Sequence, residues 1–458
     1  MGLWIVALAV LQAAGDSSGT IPAAGLQADV RILRQAYEAL HPGLYRYNTK
    51  AQMDVRFDSL AQELDRDQTR TEAFLAIARF LSTIRCGHTF PNPYNQSETV
   101  ERELLRGPVL PFGFYWIDGR MVVTEAGGVA GLERGTEIVS LNGVATTEIL
   151  QRLLPYSRTD GSNEAKRIAN LDRMVGERWQ AFDIYYRLLY RPPAERWTVR
   201  SSDGRMLVVD VAPPVEGETD RSEGASGAAA LGWTVTRPSA GVAVMTMPTW
   251  VTYHEKWDWQ GWVDEQMARL VRDSVAELVI DIRANEGGTD VGNAIIAHLI
   301  DRPLALATYE RYTRYRTIPP ELKPYLDTWD RSFDDWGADA TPSAERPGFY
   351  RMRRFDDDPA GSVIQPKAPR FRGKVRVLVG PVNSSATFQF ALTMQEAKLG
   401  TLVGQPTGGN RRGINGGAFY FLRLPNSGIE VDLPLVALFP VREEEDRGVE
   451  PDEPGVRR

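Results

Sequence analysis

From Gly241 onward short apolar runs alternate with amphipathic segments, and this alternation constrains the fold more than any other feature of the sequence. "GVAVMTM" precedes the helical pattern "DWQGWVDEQMARLVRDS", and "AELVIDIR" precedes "VGNAIIAHLI". "KVRVLVG" precedes a helical segment after Ser385, and the strand-like "TLVGQ" follows. Strands alternating with helices imply an α/β domain with a largely parallel sheet.

The rest of the chain reads differently. Between Ala24 and about Arg85 apolar residues recur at helical spacing: Leu26, Val30, Leu33, Tyr37, Leu40, then Met53, Phe57, Leu60, Leu64. Thr69 and Glu72 have capping-box spacing ahead of "AFLAIARFLSTIR", a helix expected to stop near Gly87, so that His88 lies just beyond its end. From about Glu101 to Val211 short strands surround the turn pairs Asn142-Gly143 and Asp203-Gly204, interrupted by a helical insertion near 162–190. A Pro/Gly/Ser/Glu-rich linker follows at 213–230. The α/β part, 231–458, carries a loop-rich insertion at 303–371, whose acidic "FDDDPAG" reads as a solvated face, not a calcium loop. At 458 residues two or three domains are implied.

The net charge of −7 and the absence of a basic run exclude a nucleic-acid footprint. "MGLWIVALAVLQAAG" is too short to span a membrane and ends in a small-residue site, so residues 1–15 read as an export signal and predict a periplasmic or secreted protein. No Lys or Arg precedes its apolar core, a departure from the usual pattern. Cys86 is the only cysteine, which excludes an intramolecular disulfide.

"GPVNSSATFQFALTMQ" sets Ser384 and Ser385 at a strand-to-helix turn. A serine there either caps the helix or is a nucleophile served by helix N–H groups. "LVIDIRANEGGTD" ends a strand in Gly287-Gly288, which suits an oxyanion hole or a tight turn. His41, His254 and His298 read as capping or packing residues, and Trp250, Trp257, Trp259 and Trp262 as a pocket wall or core. No metal-binding or cofactor-binding motif is present.

Taken together, "DIRANEGG", "SSAT", "GQPTGG" and "EDRGVEPD" follow the motif order of the tail-specific, or carboxy-terminal-processing, serine peptidases, and the chain resembles that family. "GTEIVSLNGVATTEIL" resembles the middle of a PDZ domain, and "CGHT" resembles the "Asp-Gly-His-Thr" of tricorn-like members, with Cys86 in place of Asp. The resemblance implies a multidomain α/β protein: an N-terminal helical domain (16–100), a PDZ-like β module (101–212), and a crotonase/Clp-protease-like ββα spiral peptidase domain. It implies Ser385 as nucleophile, His88 as general base, Glu445 as the orienting acid with Glu443 and Glu444 as alternates, and Gly287, Gly288 and Ala386 as the oxyanion hole. The position of the lysine base in the bacterial branch is Asn410 here, which has no basic nitrogen. The expected substrate is a peptide or exported protein, with no cofactor and no metal. Two other readings are a peptide-binding protein that has lost turnover and a crotonase-like acyl-CoA enzyme, the latter opposed by the export signal and the PDZ-like module.

Overall fold

Helices Ala23–Leu40, Lys50–Glu63 and Arg70–Ser82 open the fold. Thr49 and Thr69 each close a capping box, with Gln52 and Glu72, which satisfies two otherwise unpaired donors per helix. The predicted apolar stripes are all buried. The third helix ends at Ser82, and the chain turns through Arg85 at φ 60° before reaching Gly87 and His88.

The computed structural model describes residues 19–213, 227–253, 256–306, 309–353 and 363–455. The expected export signal, most of the linker, His254 and "FDDDPAG" lie outside the described residues. Among the described residues no helix is long and apolar enough to cross a membrane.

An antiparallel sheet runs in the order Gly113–Ile117, Arg120–Glu125, Glu137–Leu141, Arg196–Ser201, Met206–Asp210, with Val144–Ala145 paired to its third strand. Asn142 and Gly143 both take positive φ, 49° and 79°, as a tight hairpin turn requires. Helices Glu164–Ala169 and Ala181–Tyr190 interrupt this module.

The alternating region forms the expected sheet. Val242–Thr246, Glu277–Asp281, Lys374–Val379, Thr401–Gly404 and Glu453–Pro454 are parallel neighbours, and Thr234–Ser239 closes one edge antiparallel. Its core holds Trp250 and Trp233, against which Trp257 and Trp262 pack, so this tryptophan-rich stretch is chiefly core.

The described residues of 303–371 carry more strand than the sequence predicts. They supply Tyr309–Thr313, Leu326–Asp327, Ala340–Pro342 and Tyr350–Met352 to a sheet built on the long hairpin of Asn415–Arg423 and Glu430–Pro440. These added strands are two to five residues long, too short to carry a period. The hairpin shares its apolar core with the N-terminal helices and the antiparallel module, not with the parallel sheet. Residues 231–458 therefore contribute to two cores.

Candidate active site

Adjacent parallel strands Glu277–Asp281 and Lys374–Val379 end side by side, with Leu378 opposite Asp281. The carboxyl ends of such strands are where open α/β sheets bind ligands. The glycine loop leaves the first strand and the double-serine turn leaves the second.

Asn383 fixes that turn. Fully buried, it accepts from the Gly380 N–H at 2.7 Å and donates to the carbonyls of Ile282 and Asn285. The chain then passes through Ser384 in extended conformation and Ser385 at φ 44°, where the helix Ser385–Glu396 begins. A non-glycine residue held at positive φ costs about 1–3 kcal/mol, and such strain clusters at functional sites.

Neither serine is a cap. Ser384 occupies the N-cap position without a side-chain bond to the helix. Its hydroxyl, 1% exposed as a residue, accepts from Lys166 Nζ at 2.7 Å and donates to Asp160 Oδ2 at 3.0 Å. Ser385 is half-buried and lies against the glycine loop: a Cβ placed on Gly287 would stand 3.0 Å from the Ser385 Cβ and 3.2 Å from the Ala386 nitrogen.

One of the three N–H groups expected to form an oxyanion hole is already engaged. The Gly287 N–H is taken by Asn285 Oδ1 at 2.9 Å, so Gly287 contributes close approach and not a donor. The N–H groups of Gly288 and Ala386 meet no acceptor among the described residues.

His88 is half-buried beside the hairpin, its ring 5.7 Å from that of Phe419. Burial lowers its pKa; Asp160 opposes this, Lys166 and Arg158 reinforce it, and Glu286 opposes it, the net direction being down. Two of those four side chains, Asp160 and Lys166, also hold the turn at Ser384. His88 Nδ1 is buried and has no hydrogen-bond partner among the described residues.

Glu445 is not brought to that nitrogen. It is exposed and ion-paired with Arg447, because its loop turns the neighbouring Asp446 inward to bind Asn410 Nδ2 at 2.7 Å and the Ser162 N–H at 2.9 Å. Glu444 pairs with Arg411, and Glu443 is exposed. Asn410 is fully buried and joins Asp446 to the Asp160 carbonyl, a structural tie.

The two other described histidines, His41 and His298, pack. His41 accepts from the Gly43 N–H at Nδ1 and meets Thr89 Oγ1 at 2.8 Å, and burial pushes its pKa down to about 3. His298, fully buried, bridges Asp264 and the Pro369 carbonyl.

Asp160 and Lys166 escape sequence reasoning. In "TDGSNEAKR" they look like ordinary charges at a helix start, and only the tertiary fold buries them to 2% and 1% exposure. The turn glycine at 161 is the sole local cue.

Residues 241–454 match the sequence model of peptidase family S41. The chain carries an S41 peptidase domain, of serine type. The whole chain is similar in fold to mature CPAF, both complexed with lactacystin and alone, at TM-score 0.60 and 15% identity over 94% of this chain and 94% and 92% of those chains. It is also similar to a photosystem II D1 C-terminal processing protease, at TM-score 0.41 and 15% identity over 94% of this chain and 92% of that one. No curated protein matches the sequence. The S41 match includes the glycine loop and the serine turn, while His88, Asp160 and Lys166 come from the chain that precedes it.

Proposed function

We propose that the protein is a serine endopeptidase of the tail-specific type, hydrolysing peptides or exported proteins through an acyl-enzyme. The carrying observation is Ser385, half-buried at φ 44° on a helix start and packed on the glycine loop. Ser385 Oγ attacks the scissile carbonyl carbon while its proton passes to neutral His88. The Gly288 and Ala386 N–H groups stabilise the oxyanion. Imidazolium His88 returns the proton to the leaving amine, and water then repeats the sequence to release the acid. Asp160 and Glu286 supply the negative charge that favours the imidazolium. Glu445 has no part in this scheme.

In the same reading the antiparallel module is PDZ-like and receives an extended peptide by strand addition, and the parallel-sheet domain is a crotonase/Clp-protease-like spiral. Residues 1–15 direct export to a periplasm or the medium, which N-terminal sequencing of the mature protein tests: a chain retaining Met1 refutes it.

One observation favours a second reading. Among the described residues no acid holds His88 Nδ1, which suits a peptide-binding protein with impaired turnover that keeps the same architecture. A fluorophosphonate probe with the labelled peptide mapped separates the two. The peptidase reading expects Ser385 to be labelled, and an unlabelled protein, or label on Ser384, overturns it.

A further inference from the structure

We propose that buried Asp160 and Lys166, with half-buried Arg158, form a charge hub that positions nucleophile, base and oxyanion loop together, each through a residue one or two positions away in the chain. The proposal rests on the Ser385–His88 reading.

The hub reaches each catalytic segment one or two residues away from the functional one. Toward Ser385, Ser384 Oγ lies 2.7 Å from Lys166 Nζ and 3.0 Å from Asp160 Oδ2. Toward His88, the Gly87 N–H donates to Asp160 Oδ1 at 2.8 Å, and the Gly87 carbonyl accepts from Arg158 Nη1 at 2.6 Å. Toward Gly288, Glu286 sits two residues before it and one before Gly287; its carboxylate lies 2.8 Å from Arg158 and 3.7 Å from Lys166. Lys166 and Asp160 close the hub on each other at 2.8 Å.

Only glycine fits at 87. A Cβ there would stand 2.6 Å from Asp160 Oδ2 and 2.9 Å from Lys166 Nζ, so the absence of a side chain lets the hub lie directly beneath the His88 turn. The hub is balanced, two cations against Asp160 and Glu286. Burial alone raises the Asp160 carboxyl, but Lys166 and His88 outweigh it and hold the group well below the usual carboxylate range. Lys166 thus donates to both Asp160 and Ser384 and ties the two together. It is a positioning residue.

Four stretches of chain, near 87, 158–166, 286 and 384, meet here. A misplacement of about 1 Å at a reacting group costs about 100-fold in rate. The segment 158–166, which reads as part of a helical insertion, thereby becomes part of the reaction's scaffold.

The test is the second-order rate at which a fluorophosphonate labels the full-length protein, measured against pH in Asp160→Asn, Lys166→Met, Lys166→Arg and Ser384→Ala. Asp160→Asn and Lys166→Met are expected to slow labelling of Ser385 about 100-fold. Their acidic limbs should move in opposite directions. Losing the carboxylate that raises the His88 pKa shifts the limb down, and losing the ammonium that lowers it shifts the limb up. Arg158, Glu286 and the neighbouring Cys86 remain unchanged in both. Lys166→Arg keeps the charge and should keep the limb in place. Ser384→Ala, which removes one link and no charge, should slow labelling with the limb unmoved; it carries the test if a charge variant fails to fold. Unchanged rates in folded variants, or limbs that stay put or move together, overturn the hub. A parent protein not labelled at Ser385 overturns the underlying site reading instead, before any variant is compared.

Discussion

Two adjacent serines divide their work at this turn. Ser384 is buried and tied to Lys166 and Asp160, whereas Ser385 carries the strained backbone and faces the glycine loop. Ser385→Ala is therefore expected to lower kcat by about 10⁶, as for a nucleophile acting within a unit, with KM little changed. Steady-state kinetics on a fluorogenic peptide checks this, and retained turnover refutes it. The sign of the pH dependence follows from His88. Its neutral form accepts the proton, and burial, reinforced by Lys166 and Arg158, lowers its pKa against the pull of Asp160 and Glu286. The acidic limb of kcat/KM should then fall below about 6.5, rate increasing with pH through it and flat by neutrality. A limb centred above 7 contradicts the assignment. Ser385 and His88 stand out in the sequence because each lies in a motif at an element boundary. Lys166 does not, because a lysine on a short polar helix is usually solvated, and nothing local to "NEAKR" signals its burial.

At the scale of elements, the N-terminal helices were legible because their apolar stripes repeat over many residues, and the parallel sheet because its apolar runs alternate with helical segments along the chain. The strands of 309–352 were not, since two to five residues cannot show one. The glycine loop is the element on which the site most depends. Gly288 stands at φ 133°, and a Cβ there would lie 2.3 Å from the Trp250 carbonyl carbon and oxygen, with Thr289 already bonded to that carbonyl. Gly288→Ala should lower stability by about 2–3 kcal/mol and displace the oxyanion donor. Denaturant unfolding would register the first effect. Probe labelling below the unfolding transition would register the second, and a fully labelled, equally stable variant speaks against both. The closing "REEEDRGVEPD" misleads by its family spacing: the loop presents Asp446 inward and leaves Glu445 to Arg447. Glu445→Gln is accordingly expected to change kcat/KM by less than about 3-fold, the scale of a surface change of about 0.5 kcal/mol. A loss of 100-fold would return Glu445 to the mechanism.

Across the whole molecule, the site exists only if the N-terminal helices dock on the C-terminal hairpin, because His88 follows the third helix and packs on Phe419 of the strand Asn415–Arg423. One apolar core runs through both. The sequence could reveal each partner but not their union, since a helix stripe states only that something covers it. Asp29 supplies the polar lock. It lies on the apolar side of the first helix, 1% exposed, and accepts from the Asn426 N–H at 3.0 Å, Asn426 Nδ2 at 2.8 Å and the Ser427 N–H at 2.7 Å, so it holds the hairpin turn. Gly25, one helical turn earlier, lets Asn426 approach: a Cβ there would meet the Asn426 side chain at 3.1 Å. Hydrogen bonds to a charged group contribute about 1.5–3 kcal/mol each, and removing the carboxylate leaves buried donors unpaired. Asp29→Ala should therefore cost about 3 kcal/mol by urea unfolding, near the upper end for a single substitution. It should also open the 424–428 turn to limited proteolysis and slow probe labelling of Ser385, although Asp29 is remote from the serine in sequence and touches none of the catalytic groups named here. Lost stability with labelling and proteolysis unchanged would mean that the hairpin keeps its place without Asp29, and that packing of the shared core alone assembles His88 with Ser385.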